Sequence, residues 1–84
     1  MQPVRIYTTV TCGYCHAAKR FLADQRIPFE ELDVSDDDAR RAWLVQTTGQ
    51  RTVPQIFIGD RSIGGYTELR ALHQKGELET LLNR

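Results

Sequence analysis

The sequence has no hydrophobic run that approaches the ~20 residues of a membrane-spanning helix, and residues 1–5 lack the apolar segment of a signal peptide. Neither sign of charge is in excess, because 11 Lys and Arg balance 11 Asp and Glu. A nucleic-acid-binding domain usually carries a basic excess. The two cysteines are too few for the disulfide framework of a small secreted domain. We therefore expect a soluble, cytoplasmic protein that binds neither nucleic acid nor membranes.

The composition, 40% hydrophobic and 26% charged residues, is that of an ordinary globular protein. The 84 residues accommodate one small domain with a modest core. No internal repeat or low-complexity linker divides the chain, so we assign a single domain to residues 1–84.

The first half of the chain has the pattern of a strand, a helix and a second strand. Residues 4–8 alternate apolar and polar side chains and predict a strand, and residues 29–34 predict another. Residues 14–24 between them, which follow a turn, predict a helix. Its apolar face contains Cys15, Ala18, Phe21 and Leu22. Two strands joined through one helix form a βαβ unit, so they should be parallel.

A second helix is predicted from an N-cap at Ser35, with Asp38 as its capping-box partner, to about Thr48. Gly49 should end this helix. Its apolar positions include Ala42, Trp43 and Val45. The acidic run at 36–38 could be a metal or partner patch, but acidic residues are also favourable at the positive end of a helix dipole, and we favour that interpretation.

The last third of the chain predicts a hairpin followed by two helices. Strands at 55–58 and 61–63 flank a Gly59-Asp60 turn. Thr67 is the predicted N-cap of a helix that ends near Gly76, and the leucines at 78–82 suit a short last helix. The order βαβ, α, ββα and a short C-terminal helix predicts an α/β fold with a mixed sheet of about four strands, flanked by helices.

The cysteine pair Cys12-Gly13-Tyr14-Cys15 lies where the first strand leads into the first helix. Unpaired N–H groups and the dipole at a helix N-terminus favour an anion, so we expect Cys12 to be the attacking thiolate. Cys15, three residues later on the same helical face, is within reach of a disulfide and is the expected resolving thiol.

Two other interpretations of the pair are weaker. Two structural cysteines could have this spacing by chance. A structural zinc site usually has four Cys or His ligands, and only His16 and His73 are available besides the pair. We expect both histidines to be surface residues. A dithiol at a βαβ junction in a chain without other cysteines therefore favours redox chemistry.

Two further segments carry weaker indications. The residue before a proline is pushed into an extended conformation, so Val53 before Pro54 keeps backbone groups available for a ligand; alone, this dipeptide is more often a plain turn. The glycines of Gly64-Gly65 allow close approach of another backbone, and the helix after them can accept a carboxylate at its N-terminus. Alone, this segment is an ordinary hairpin exit.

Three motifs occur in order: Cys12-Gly13-Tyr14-Cys15, Thr52-Val53-Pro54-Gln55 and Gly64-Gly65. Their order and spacing resemble those of the small bacterial dithiol glutaredoxins, and the match runs from Val4 to about Leu82. The resemblance implies a thioredoxin-like fold. It also implies a glutathione-dependent oxidoreductase that acts, as a monomer, on protein disulfides and on glutathionylated proteins.

The resemblance also implies a role for individual residues. Cys12 would attack the mixed disulfide and Cys15 would resolve it. Pro54 would be a cis proline facing the cysteines. The expected glutathione contacts are Tyr14 and Thr52 lining the groove, the Val53 backbone at the cysteinyl group, Thr67 with Glu68 and the adjoining Gly65 and Tyr66 at the γ-glutamyl end, and Arg41 at the glycine carboxylate.

This chain departs from the family at positions that bear on its chemistry. Thr9 stands where relatives often carry a lysine near the nucleophile, and Tyr66 replaces a common third cysteine. Gly13 replaces the usual proline between the cysteines. In the family, loss of that proline accompanies binding of a [2Fe–2S] cluster between two protomers, each giving its first cysteine, here Cys12. A cluster-bridged homodimer acting as an iron–sulfur carrier or sensor therefore stays open beside the enzyme.

Overall fold

The computed structural model describes residues 1–84 and contains four strands and four helices. In chain order they are β1 (Val4–Thr8), α1 (Gly13–Asp24), β2 (Glu30–Asp33), α2 (Asp38–Thr48), β3 (Gln55–Ile58), β4 (Arg61–Gly64), α3 (Tyr66–Gln74) and α4 (Leu78–Leu82). The sheet order is β2-β1-β3-β4, with β1 parallel to β2 and the other two pairs antiparallel. The predicted α/β fold with a mixed four-stranded sheet is confirmed.

Helices cover both faces of the sheet. Successive side chains of a strand point to opposite faces, so each face supplies apolar residues to its own core cluster. On one face, Ile6 and Ile56 pack with α1, α3 and α4, and this is the larger core cluster. On the other face, Tyr7 and Phe57 pack against Leu44 of α2 in a smaller cluster. None of the four helices combines the length and the apolar composition that crossing a bilayer requires.

Helix α2 begins two residues later than the sequence predicts. Its N-cap is Asp37, whose Oδ1 accepts a hydrogen bond from the Arg40 N–H at 3.0 Å. The predicted cap, Ser35, is wrong because its hydroxyl accepts from the Val10 N–H at 3.0 Å, in the loop that leads to the cysteines. The predicted end of the helix is confirmed, since Gly49 adopts a left-handed conformation with φ 73°.

The buried face of α2 also differs from the prediction. Leu44 is its buried residue, whereas Ala42 is exposed and Trp43 is 41% exposed. The Trp43 ring still contacts the sheet, with its centroid 5.8 Å from that of Phe57. An indole is large enough to cover a neighbouring ring while one edge stays in solvent.

Helix α3 starts earlier than predicted, with Gly65 rather than Thr67 at its N-cap. The Glu68 carboxylate accepts a hydrogen bond from the Gly65 N–H at 2.7 Å, so a side chain in the first turn of the helix caps the backbone at Gly65. Thr67 therefore lies inside the first turn. The helix ends at Gln74, shortly before the left-handed Gly76, which has φ 73°.

A polar contact joins α1 to the edge of the sheet at Glu31 of β2. The carboxylate accepts hydrogen bonds from the Lys19 ammonium at 2.9 Å and from the Thr8 hydroxyl at 2.7 Å. These two hydrogen bonds hold the pKa of Glu31 below its usual value, and the bond from Lys19 contributes more than the bond from Thr8. The unfolded chain therefore binds a proton at Glu31 at a higher pH than the folded chain does.

We expect Glu31→Gln to lower the free energy of unfolding at neutral pH by less than about 1 kcal/mol, since the carboxylate is partly exposed. The difference from wild type should shrink as pH falls through the folded-state pKa of Glu31, because the stabilisation exists only while Glu31 is ionised. Urea unfolding over a pH series measures it. Glu30→Gln, at an exposed neighbour without such contacts, is the control. A difference independent of pH would contradict this account.

Candidate active site

Cys12 is the N-cap of α1, and the start of the helix positions its sulfur. The residue is extended, with φ −104° and ψ 110°, and its Sγ accepts a hydrogen bond from the Cys15 N–H at 3.0 Å. The sulfur is half-buried and therefore accessible. The Cys15 N–H and the dipole of α1 are both directed at this atom, and both stabilise negative charge there. This geometry suits an attacking thiolate.

Cys15 lies one turn into α1 and has no exposed surface. Burial, followed by the hydrogen bond with Cys12, raises the pKa of the Cys15 thiol to about 12. Both cysteines are free thiols. The two sulfurs are therefore chemically different: one is accessible at a helix N-terminus and the other is buried and protonated at neutral pH.

The loop before β3 faces the Cys12 sulfur. The Val53–Pro54 peptide bond is cis, as the sequence resemblance implied. The Val53 carbonyl oxygen accepts from the Cys12 Sγ at 3.5 Å, while the Val53 N–H makes no hydrogen bond within the chain. A backbone N–H beside the sulfur is thus available to an extended ligand, as expected for a residue that precedes proline.

Gln55, at the start of β3, anchors this loop by hydrogen bonds. The sequence did not identify it as a functional residue. Its side chain is buried, and its Nε2 donates to the Thr52 carbonyl at 2.9 Å and to the Gln50 Oε1 at 3.1 Å. A buried amide that binds two loop residues restricts the conformation of the loop. The available indication was one polar residue at the start of an otherwise apolar strand.

A cleft of about 200 Å³ lies beside the cysteines, between this loop and the start of α3. It is lined by Tyr14, Gln50, Thr52, Val53, Pro54, Gly65, Tyr66, Thr67 and Glu68. A Cβ atom on Gly65 would stand 3.1 Å from the Pro54 carbonyl oxygen, so glycine permits the two backbones to approach this closely. All the residues predicted for the site except the two cysteines and Arg41 meet in this cleft.

Arg41 lines a second cleft, of about 230 Å³, on α2. This cleft shares Gln50, Thr52 and Val53 with the first, so the two adjoin. Arg51 also lines it, and neither Gln50 nor Arg51 was identified from the sequence, although both directly precede the Thr52-Val53-Pro54 motif. The combined groove has arginines at one end and the N-terminus of α3 at the other, and both favour negative groups.

A larger cavity of about 620 Å³ lies between β4, α3 and α4, but no residue of the cysteine motif or of the Thr52-Val53-Pro54 loop lines it, whereas Tyr14 and that loop line the first cleft. Nor does the chain bring three His, Cys, Asp or Glu side chains together in a metal-binding arrangement. The groove beside Cys12 is thus the place where the thiol chemistry and a binding surface coincide.

Comparison with known proteins gives a consistent result. A family model described as glutaredoxin matches residues 4–63. The chain is 44% identical over 82 residues to "Glutaredoxin 3" of Escherichia coli strain K12, covering 98% of this chain and 99% of that protein.

Among solved structures, a buckwheat glutaredoxin–glutathione complex superposes with a TM-score of 0.91 at 33% identity, covering 98% of this chain and 77% of that one. A glutaredoxin from Brucella melitensis superposes with a TM-score of 0.87 at 43% identity, covering 98% of this chain and 89% of that one. Both neighbours share the thioredoxin-like arrangement of sheet and helices that the sequence predicts.

Proposed function

Because the chain belongs to the glutaredoxin family and is a thiol–disulfide oxidoreductase, we propose that it uses glutathione as its reductant. The observation that carries this proposal is the groove beside Cys12, which offers a free Val53 N–H between two ends that favour carboxylates. Glutathione is an extended peptide with a carboxylate at each end. The buckwheat relative is described in complex with glutathione, which supports the same assignment.

In the proposed reaction, the Cys12 thiolate attacks the glutathione sulfur of a glutathionylated protein. The protein thiolate leaves and takes a proton from solvent, and a mixed disulfide of Cys12 and glutathione remains. A second glutathione thiolate attacks the glutathione sulfur of this mixed disulfide, which releases oxidised glutathione and restores the Cys12 thiolate. No net oxidant is needed beyond the substrate disulfide.

Protein disulfides follow a second route, which uses both cysteines. Cys12 attacks one sulfur of the substrate, and the Cys15 thiol then loses its proton and attacks the Cys12 sulfur. The reduced substrate leaves with two thiols, and a Cys12–Cys15 disulfide forms. Two glutathione molecules reduce that disulfide and are oxidised in turn.

In this proposal, each part of glutathione has its own contacts in the groove. The Val53 backbone pairs with the cysteinyl residue, while Tyr14 and Thr52 line the groove around it. Thr67 and Glu68, with the neighbouring Gly65 and Tyr66, hold the γ-glutamyl end at the start of α3. Arg41, in the adjoining cleft, binds the glycine carboxylate.

We expect the kcat/KM for a glutathionylated peptide to be about 10-fold or more above that for the same peptide disulfide-linked to cysteine. Cysteine lacks the γ-glutamyl and glycine residues that would contact the two ends of the groove. Arg41→Glu should raise KM for the glutathionylated peptide about 3- to 10-fold and leave the cysteine-linked peptide unchanged. Arg40→Glu, at an adjacent exposed residue outside both clefts, is the matched control. Equal rates on the two wild-type substrates would overturn the glutathione assignment.

The proposed partners are therefore glutathione, glutathionylated proteins and protein disulfides. We propose that the enzyme acts as a monomer, since one chain supplies both cysteines and the groove. We also propose the cytoplasm as its location, because free thiols and reduced glutathione are maintained there.

Gly13 supports a second candidate function, the [2Fe–2S]-bridged homodimer. A Cβ atom at Gly13 would meet no atom within 4 Å, so the loop between the cysteines leaves open space beside the accessible Cys12. One chain offers too few ligands for a cluster, so Cys12 of two copies and two glutathione thiols would have to hold it. Anaerobic purification with glutathione, followed by visible absorption and gel filtration, decides between a brown dimer and a colourless monomer. Gly13→Pro should prevent the dimer by filling the space.

A further inference from the structure

A row of aromatic and cationic side chains follows the seam between α1 and α3, starting at the cleft. This strip consists of Tyr14 and Phe21 on α1 with Tyr66, Arg70 and His73 on α3. The Tyr14 and Tyr66 rings lie 6.1 Å apart between centroids, and the Phe21 and His73 rings lie 5.1 Å apart. The strip is therefore a continuous surface and not a set of isolated side chains.

Arg70 is held in a defined position at the centre of this strip. Its guanidinium carbon lies 5.8 Å from the Tyr66 ring centroid and 5.7 Å from that of Phe21, and its Nη1 donates to the Tyr66 hydroxyl at 2.9 Å. Cation–π contacts with two rings, together with the hydrogen bond to Tyr66, orient the guanidinium before any partner arrives. Little side-chain freedom is then lost when Arg70 binds an anion.

Arg70 also has unused binding capacity. The two ion pairs of the chain are Lys19–Glu31 and Arg40–Asp37, so no carboxylate lies within ion-pair distance of Arg70. A guanidinium has five N–H donors, and the Tyr66 hydroxyl takes only one of them. The remaining donors match the two oxygens of a carboxylate.

The location of the strip determines which part of a substrate can reach Arg70. Tyr14 is 67% exposed and lies between the two cysteines in the chain, and Tyr66 lines the cleft assigned to glutathione. Arg70 lies about one helical turn beyond Tyr66 and lines neither of the two clefts. In the proposed function glutathione fills the groove, so the protein half of the disulfide has to lie outside it, and the strip beyond Tyr66 is an exposed surface that borders the groove.

We propose that this strip is the docking surface for the protein half of the substrate, and that Arg70 selects protein segments with an acidic side chain near the reactive cysteine. The inference rests on the proposed function, because it takes glutathione to occupy the groove. Phe21 and His73, which lie beyond the groove, provide aromatic contacts for an extended segment, and Arg70 provides a bidentate partner for its carboxylate. Arg70 takes no part in the exchange of disulfide bonds and acts on substrate choice.

Two glutathionylated peptides that differ only in the residues flanking cysteine, two glutamates in one and two lysines in the other, test the proposal. We expect wild type to favour the acidic peptide by about 5- to 10-fold in kcat/KM at low ionic strength, with the preference falling as salt is added. Arg70→Glu should reverse the preference, and Arg70→Lys should keep part of it. Lys75→Glu, the same charge reversal at the C-cap of α3 and outside the strip, should leave it unchanged.

The glutathione mixed disulfide of 2-mercaptoethanol has no peptide half, so all these variants should reduce it at the wild-type rate. An unchanged peptide preference in Arg70→Glu would overturn the docking surface. A loss of activity on the 2-mercaptoethanol substrate would also overturn it, since Arg70 would then be supporting Tyr66 in the groove. Failure of the glutathione proposal has a different result, namely equal wild-type rates on glutathione-linked and cysteine-linked peptides.

Discussion

Replacement of Cys12 by serine is expected to reduce both activities, on glutathionylated peptides and on protein disulfides, to the uncatalysed rate. A serine hydroxyl cannot form the mixed disulfide, and the other thiol of the chain, that of Cys15, is buried. The loss should be on the order of 10³-fold or more, as for removal of other covalent nucleophiles. The measurement is the glutathione-dependent reduction of a glutathionylated peptide by wild type and variant.

The design of this variant separates chemistry from folding. Serine is a favourable N-cap, and its hydroxyl can accept from the Cys15 N–H as the sulfur does. Cys12→Ser should therefore keep the thermal stability of wild type within about 1 kcal/mol. Activity retained by a folded Cys12→Ser protein would refute the assignment of the nucleophile.

Replacement of Cys15 by serine is expected to divide the two activities. Deglutathionylation needs only the Cys12 sulfur and a second glutathione, so its rate should stay within about 3-fold of wild type. Reduction of a protein disulfide requires an attack on the Cys12 mixed disulfide from within the chain, and it should fall to the uncatalysed rate. Parallel assays with a glutathionylated peptide and a disulfide-bonded protein measure the ratio.

The environment of Cys15 explains why its thiol stays protonated until Cys12 has formed a mixed disulfide. Burial, the hydrogen bond with Cys12 and the charge of Cys12 raise the pKa of the Cys15 thiol. A backbone hydrogen bond at Thr9 and the charge of Lys19 lower it. Once Cys12 is joined to a substrate it carries no negative charge, so one of the raising contributions is removed. The buried thiol should thus become easier to deprotonate at the step that uses it.

Serine at a fully buried position can lower stability, so Cys15→Ala is the companion variant. Both variants lack the resolving thiol, and both should keep deglutathionylation. Loss of the two activities together in two folded variants would show that Cys15 has another role.

The sequence by itself was sufficient for the order of the elements. Alternation in residues 4–8, the short apolar run that follows Gln55, and the helical spacing of Cys15, Ala18 and Leu22 identify two strands and a helix from local patterns. The Gly49 and Gly59-Asp60 turns depend on backbone freedom, which is also a local property. These predictions succeeded because the physics that decides them acts within a few residues.

The helix caps show where local information ends. Ser35, Asp37 and Thr67 are all residue types that cap helices well, so the sequence offers several starting points of similar quality. At α2 a partner from another part of the chain decided, because the Ser35 hydroxyl accepts from the Val10 N–H. At α3 the decision was local, because the Glu68 carboxylate accepts from the Gly65 N–H three residues before it. On α2, contact with the sheet rather than helical spacing decided that Leu44 is buried.

For the candidate site, the sequence determined the cysteine pair, the proline loop and the glycine segment, since each is a short motif whose chemistry follows from its own residues. Only the tertiary structure decided which side chains surround them. The anchoring of the loop by Gln55, the second cleft with Arg51 and the contact of Arg70 with Phe21 join residues that are separate in the sequence or lie in different elements. Their roles arise from distances that the packing of the sheet and helices sets, and no local pattern records those distances.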